Sequence, residues 1–207
     1  PGDQAKTRVR LLDMTIDAAG NITAVGKFGL TVDFDPGVGT VNLTAAGNFD
    51  GFILRMDPSG NLLWARPFTT SPGNNCAPNG ITTDATGNLV IAGTLFGAAD
   101  LDPGAGVANT LTTGLSDMFV VKLDANGNYL WSWGFGGIYQ DGLYDVATDG
   151  IGNVYVASIY EGTVDFDPGP GVTPATAITY KDIAVVKFSS GGAFRWAALA
   201  GGAQNDF

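Results

Sequence analysis

Asp-Met-Phe-Val-Val-Lys-Leu-Asp-Ala-Asn-Gly-Asn-Tyr-Leu-Trp, residues 117–131, decides the fold. Its apolar, β-branched run suits a buried strand. Asn126-Gly127 then accepts the positive φ of a tight turn, and a second strand closes on Trp131. The same frame stands at Asp50–Trp64 and at Asp182–Trp196, so the chain holds this hairpin three times. Upstream, Asp17-Ala18-Ala19-Gly20-Asn21 returns as Asp84-Ala85-Thr86-Gly87-Asn88 and as Asp149-Gly150-Ile151-Gly152-Asn153. Between these landmarks, Asp33-Phe34-Asp35-Pro36-Gly37 returns as Asp100-Leu101-Asp102-Pro103-Gly104 and as Asp165-Phe166-Asp167-Pro168-Gly169. Every landmark moves by 67 positions and then by 65, which confines the change in length to the stretch between the Trp of one unit and the first Asp of the next. Loops absorb such changes and packed strands do not, so that stretch connects units.

Each unit reads as four short strands. The first places Leu12, Met14 and Ile16 on one face and Asp13, Thr15 and Asp17 on the other, an alternation of period two. The second spans Ile22–Phe28, Leu89–Leu95 and Val154–Tyr160 in the three copies, the third Phe52–Met56, Phe119–Leu123 and Ala184–Phe188, and the fourth carries the Trp. Four antiparallel strands repeated without helices predict an all-β chain of β-propeller blades, with blade 1 at residues 1–68, blade 2 at 69–133 and blade 3 at 134–200. A β-trefoil or β-prism also uses three four-stranded units and is the alternative. A propeller closes with about four to eight blades, so three form an open arc or part of a larger ring. Gly201-Gly202 and Asp206 repeat Gly136-Gly137 and Asp141, and residues 201–207 are expected to begin a further repeat of a longer array.

Composition narrows the function. Of 20 acidic residues only Glu161 is a glutamate, and with 31 Gly and 10 Pro the chain favours turns over helices. A formal charge of −10 disfavours nucleic acid and anionic membranes, which demand clustered Lys and Arg. No run of about 20 apolar residues predicts membrane insertion. Histidine is absent, which removes Ser-His-Asp and Cys-His nucleophile systems and His-ligated zinc. Cys76 is the single cysteine and sets no disulfide framework.

Gly162–Gly171 (G-T-V-D-F-D-P-G-P-G), Asp117–Trp131 and Val146–Ala157 together resemble the SBBP-type β-propeller repeats of bacterial secreted and cell-surface proteins. The resemblance covers nearly the whole chain and implies a propeller and an extracellular or bacterial cell-surface location. It implies no chemistry. The third copy departs from it at Ser189-Ser190-Gly191-Gly192-Ala193, where the Asp and Asn of the second turn are lost.

The sharpest candidate for chemistry is the Asp-x-Asp-Pro-Gly loop. Alternate residues of an extended segment face one side, so Asp33 and Asp35, Asp100 and Asp102, and Asp165 and Asp167 each pair two carboxylates. Such a pair suits calcium, or else each Asp caps backbone N–H groups in a Pro-Gly turn. Trp64, Trp131 and Trp196 are expected to pack blade on blade, and Asp50, Asp117 and Asp182 to cap the strands they begin. Catalytic sets occur once per site while these landmarks occur once per blade, so function is sought where the copies differ. Trp133, Tyr139, Tyr144 and Tyr160 are unrepeated and are candidates for a ligand rim. The leading expectation is a non-enzymatic scaffold or interaction module, acting in adhesion, surface assembly or filament formation, whose partners are further blades or like chains. A glycan- or peptide-binding propeller is the second expectation, and a carboxylate-based glycosidase or lyase the third.

Overall fold

The computed structural model describes residues 8–178 and 180–202, and every regular element among them is a strand. The first unit holds β1 (Arg8–Ile16), β2 (Ile22–Gly29), β3 (Thr31–Asp33), β4 (Asn42–Thr44), β5 (Asp50–Met56) and β6 (Leu62–Thr70). The second holds β7 (Asn75–Thr83), β8 (Leu89–Phe96), β9 (Ala98–Asp100), β10 (Asn109–Leu111), β11 (Asp117–Leu123) and β12 (Tyr129–Phe135). The third holds β13 (Gly142–Thr148), β14 (Val154–Tyr160), β15 (Thr163–Asp165), β16 (Pro174–Thr176), β17 (Asp182–Phe188) and β18 (Phe194–Ala200). Each unit is one four-stranded antiparallel meander: β1-β2-β5-β6, β7-β8-β11-β12 and β13-β14-β17-β18.

Between its second and third long strands each unit also carries a short hairpin, β3–β4, β9–β10 or β15–β16, which the four-strand reading does not include. Strands of three residues are too short to show a period. The β9–β10 hairpin reaches back to the preceding unit, where Thr69 and Thr70 of β6 pair with Asp100 and Ala99. Isolated parallel bridges, Phe49 with Asn75 and Ser116 with Gln140, add backbone pairing between neighbouring units. The inner strands show a second departure, because a bulge interrupts each at the same register: Leu11/Asp13, Pro78/Gly80 and Leu143/Asp145. One extra residue flips the alternation. Leu11, opposite Gly26, therefore shares a face with Met14, opposite Ala24, and Leu12 does not.

The first strands of the meanders, β1, β7 and β13, lie beside one another, and the sheets fan outward from them face to face. Val25, Ile53 and Phe68 of the first sheet meet Ile81, Ile91, Phe119 and Val121 of the second in one apolar cluster. Val90, Ala92, Met118 and Val120 on the reverse face of the second sheet meet Val146, Val156, Val186 and Phe188 of the third. The chain is thus an all-β array of three propeller blades, each covering its neighbour's apolar face. β6 runs to Thr70 and β12 to Phe135, beyond residues 68 and 133, because Phe68 and Phe135 still pair within their sheets and fill the seams. Residues 1–7 of blade 1, and most of the further repeat expected at 201–207, including Asp206, lie outside the described residues.

Candidate functional site

Five turns share one device. In Asp17–Asn21, Asp57–Asn61, Asp84–Asn88, Asp124–Asn128 and Asp149–Asn153, the Asp Oδ1 accepts the N–H groups two and four residues on, and its Oδ2 accepts the Asn amide. Gly at the fourth position takes positive φ in each, 83° at Gly20 and 79° at Gly127, for example. At Ser189–Ala193 the Ser189 hydroxyl takes over, accepting the Ala193 N–H.

The second turn of each following blade is gripped by the blade before it. A Cβ at Gly127 would come within 2.9 Å of the Trp64 ring, and one at Gly192 within 2.8 Å of the Trp131 ring. At the first seam Arg66 donates to the Gly127 carbonyl at 2.6 Å. At the second, Trp131 Nε1 donates to the Ser190 carbonyl at 3.1 Å, Trp133 Nε1 to that of Gly192 at 2.6 Å, and Lys122 Nζ to Ser190 at 3.2 Å.

Beneath each Trp lies a cation paired with the Asp of the first turn. Arg55 meets Asp17 at 2.5 Å and also donates to the Thr23 hydroxyl; Lys122 meets Asp84 at 2.7 Å, both side chains buried; Lys187 lies 4.0 Å from Asp149. These cations stand 67 and 65 positions apart, so the repeat register carried the signal, yet their strand positions hid them among apolar neighbours. Burial opposes the charge on Asp84, but hydrogen bonds from Lys122, Thr86 and Asn88 outweigh it and hold the carboxyl well below its usual range. Asp17 is lowered by the same balance, with Asn21, Ala19 and Arg55 overcoming burial.

Around this machinery two equivalent grooves open. One, of about 530 Å³, is lined by Leu130, Trp131, Ile151, Asp84, Thr86 and Asn88, and its counterpart at the first seam, of about 660 Å³, by Leu63, Trp64, Asp17 and Asn126. Their acids are ionised and tied to fixed donors, which suits anchoring rather than proton transfer. The grooves present indole and apolar surface beside amide and hydroxyl groups, the makings of a recognition surface.

The Asp-x-Asp-Pro-Gly loops are closed turns. Asp33 Oδ1 accepts the N–H of Asp35 at 3.0 Å and of Val41 at 2.8 Å, and Asp35 Oδ1 that of Gly37 at 2.7 Å. Asp100 and Asp102 repeat this with Ala108 and Gly104, and Asp165 and Asp167 with Thr173 and Gly169. Between the acids, Phe34, Leu101 and Phe166 point into the core. The backbone donors at Asp35 and Val41 lower the Asp33 carboxyl from its ordinary value. Among the described residues no group of three or more His, Cys, Asp or Glu is placed to hold a metal ion.

Asp50 caps its strand fully, accepting the N–H groups of Ala46, Gly47 and Thr70 and the Thr70 hydroxyl at 2.6 Å. Asp117 accepts the N–H and hydroxyl of Thr113, and Asp182 the N–H of Ile178. Gly137 stands at the register of Thr70 and brings no hydroxyl, and the buried Oδ1 of Asp117 has no hydrogen-bond partner. Burial raises the Asp117 carboxyl from its usual value despite Thr113 and Gly114. Asp141 is raised by burial too, with the charges of Asp117 and Glu161 adding to it against the N–H groups of Gly137 and Glu161. Cys76 occupies the Asp141 position one blade earlier, fully buried, its thiol pushed far up by burial and by the charge of Asp50.

The residues expected on a ligand rim differ in exposure. Tyr160 is 2% exposed and packs edge-on against Phe166, because its strand position faces the seam, so its place on a rim is corrected to the core. Trp133 is partly buried in the same cluster. Tyr139, on the connection before β13, and Tyr144, at the bulge of the inner strand, are exposed. The Trp64 and Trp131 rings lie against the second turn of the following blade, whereas Trp196 is 41% exposed and meets the Tyr155 ring edge to face.

No protein-family model matches the chain. It is similar to an uncharacterized WD repeat-containing protein of Acanthamoeba polyphaga mimivirus, with 31% identity over 146 residues, covering 58% of this chain and 10% of the relative. It is also similar to the regulatory protein FlaEY of Caulobacter vibrioides, with 27% identity over 129 residues, covering 60% of this chain and 13% of the relative. The chain thus spans roughly a tenth of the length of these curated relatives.

Proposed function

We propose that the chain is a non-enzymatic interaction scaffold, a run of SBBP-like blades that works outside the cell or at a bacterial cell surface in adhesion, surface assembly or filament formation. One observation carries the reading: both seams repeat the same groove, whose acids are tied up in ion pairs and turn hydrogen bonds of their own blade while Leu130, Trp131 and Ile151 remain on its rim. A surface built this way recognises without reacting. The WD-repeat name of one relative supports protein interaction in general, and the resemblance to secreted repeats supports the location.

Leu130 and Ile151 are exposed, so Leu130→Asp and Ile151→Asp alter the groove without touching the core. The labelled chain should bind intact cells or their surface fraction, and the double variant should lose most of that binding at an unchanged melting temperature. Undiminished binding by the variant would count against the groove. A glycan is the second reading, favoured by the Trp131 ring beside Thr86 and Asn88; glycan-array signals abolished by the same variant would support it. Calcium at the Asp-x-Asp-Pro-Gly loops belongs to the proposal only through the Oδ2 oxygens, because backbone donors occupy the Oδ1 atoms. An unchanged melting temperature in chelator removes it.

A further inference from the structure

Leu115, Ile138 and Tyr139 form an apolar patch between blades 2 and 3 that the first seam lacks. They are 63%, 67% and 45% exposed. The backbone beneath them repeats from seam to seam. The Leu115 N–H donates to the Tyr139 carbonyl at 3.2 Å as the Asn48 N–H does to that of Asn74 at 2.9 Å, and the bridge of Ser116 with Gln140 matches that of Phe49 with Asn75. A Cβ at Gly114 would stand 2.5 Å from the Ile138 carbonyl carbon, which brings the two stretches together. The first seam holds Asn48, Gly73 and Asn74 at these positions, and its amides bond locally: Asn48 Nδ2 donates to the Gly73 carbonyl at 2.9 Å and Asn74 Nδ2 to that of Ala98 at 3.5 Å. The Tyr139 ring instead lies across Gly162, where a Cβ would stand 2.5 Å from its Cδ2. A backbone that serves polar side chains at one seam does not demand exposed apolar ones at the next, and contiguous exposed apolar groups mark a recognition surface. β12 leads to this patch from Leu130 and Trp131, so it lies at the other end of the sheets from the grooves.

The charge beside the patch specifies what docks there. Glu161 precedes Gly162, and its N–H donates to Asp141 Oδ1 at 2.9 Å. Asp117 lies against Gly136, and its buried Oδ1 has no hydrogen-bond partner. The charges of Asp117 and Glu161 both act on Asp141. Among the described residues the ion pairs join Arg55 to Asp17, Lys122 to Asp84 and Lys187 to Asp149, and none reaches these three acids. An uncompensated negative field therefore stands beside the apolar patch, and a cation brought from outside is drawn to it. We propose that Leu115, Ile138, Tyr139 and Glu161 form a docking surface for a segment of a second protein that sets apolar anchors next to Lys or Arg. The anchors cover Leu115, Ile138 and the Tyr139 ring, and the basic group meets Glu161. An acidic segment would be repelled, and a neutral one would leave the field unanswered.

Random short peptides displayed on phage and panned on the whole chain should enrich sequences that place aromatic or aliphatic residues next to Lys or Arg. An enriched peptide, synthesised, should bind at least about tenfold more weakly to the triple variant Leu115→Asn, Ile138→Gly, Tyr139→Asn, which gives the second seam the residues of the first. Glu161→Gln should weaken the same peptide and flatten the salt dependence of its binding. Melting temperature reports whether each variant is folded, and Leu115→Asp alone, at an exposed side chain, should also weaken binding and repeats the test if the triple variant melts early. The groove variant Leu130→Asp with Ile151→Asp should bind the peptide as the parent does, which separates this surface from the grooves. No enrichment, enrichment of acidic peptides, or a peptide that binds the folded patch variants undiminished overturns the proposal.

Discussion

Asp102 and Gly106 illustrate how far single residues are committed. Asp102 Oδ1 takes the Gly104 N–H at 2.8 Å, while a Cβ on Gly106 would stand 2.1 Å from its Oδ2. The same approach of 2.1 Å recurs at Gly39 and Gly171, so the second Gly of each loop is there to let the carboxylate fold over the backbone. Gly106→Ala should cost about 1–2 kcal/mol by crowding. Adding Asp102→Ala removes the clash, so urea denaturation should show the double variant losing clearly less than the sum of the single ones. The tryptophans separate in the same assay. Trp131→Ala, which strips the seam of ring packing and a hydrogen bond, should cost about 3 kcal/mol, and Trp196→Ala below about 1 kcal/mol.

At the scale of elements, the seam is where charge and packing meet. Lys122 and Asp84 are both buried. Lys122→Met leaves an uncompensated carboxylate and should destabilise by about 3 kcal/mol, whereas Lys122→Met with Asp84→Asn should recover much of the loss, a contrast that chemical denaturation reads directly. The acids of the second seam act oppositely. Asp117 and Asp141 hold their protons more tightly folded than unfolded, so their contribution is present below the unfolded carboxylate range of about 3.9 and is lost as pH rises through their raised folded values. Asp84, Asp17 and Asp149 have lowered values, and their contribution is lost as pH falls through them. Asp117→Asn should therefore gain stability relative to the parent as pH rises from about 4 to 7, measured as melting temperature against pH; no relative gain would mean that Asp117 is not strained.

These elements also mark what the sequence discloses. Period-two runs and Gly-Asn turns gave the twelve long strands, because turn chemistry and alternation are local. The bulge at Leu12 is hidden, since an extra residue leaves an equally apolar string, and a lone aromatic such as Tyr160 does not announce which face it occupies. The pairing of Arg55 with Asp17 and of Lys122 with Asp84 joins different strands, and only the register of the repeat could have exposed it.

For the whole molecule, stability and function share one source. Each blade has two apolar faces and cannot cover them alone, so neighbours turn each face into core. That idea stands or falls on side chains from different sheets being energetically coupled. Phe68 of blade 1 and Phe119 of blade 2 meet edge to face with centroids 6.0 Å apart. A double-mutant cycle with Phe68→Leu and Phe119→Leu should yield a coupling of about 0.5–1.5 kcal/mol. Effects that simply add, within about 0.3 kcal/mol, would contradict the stacked blades.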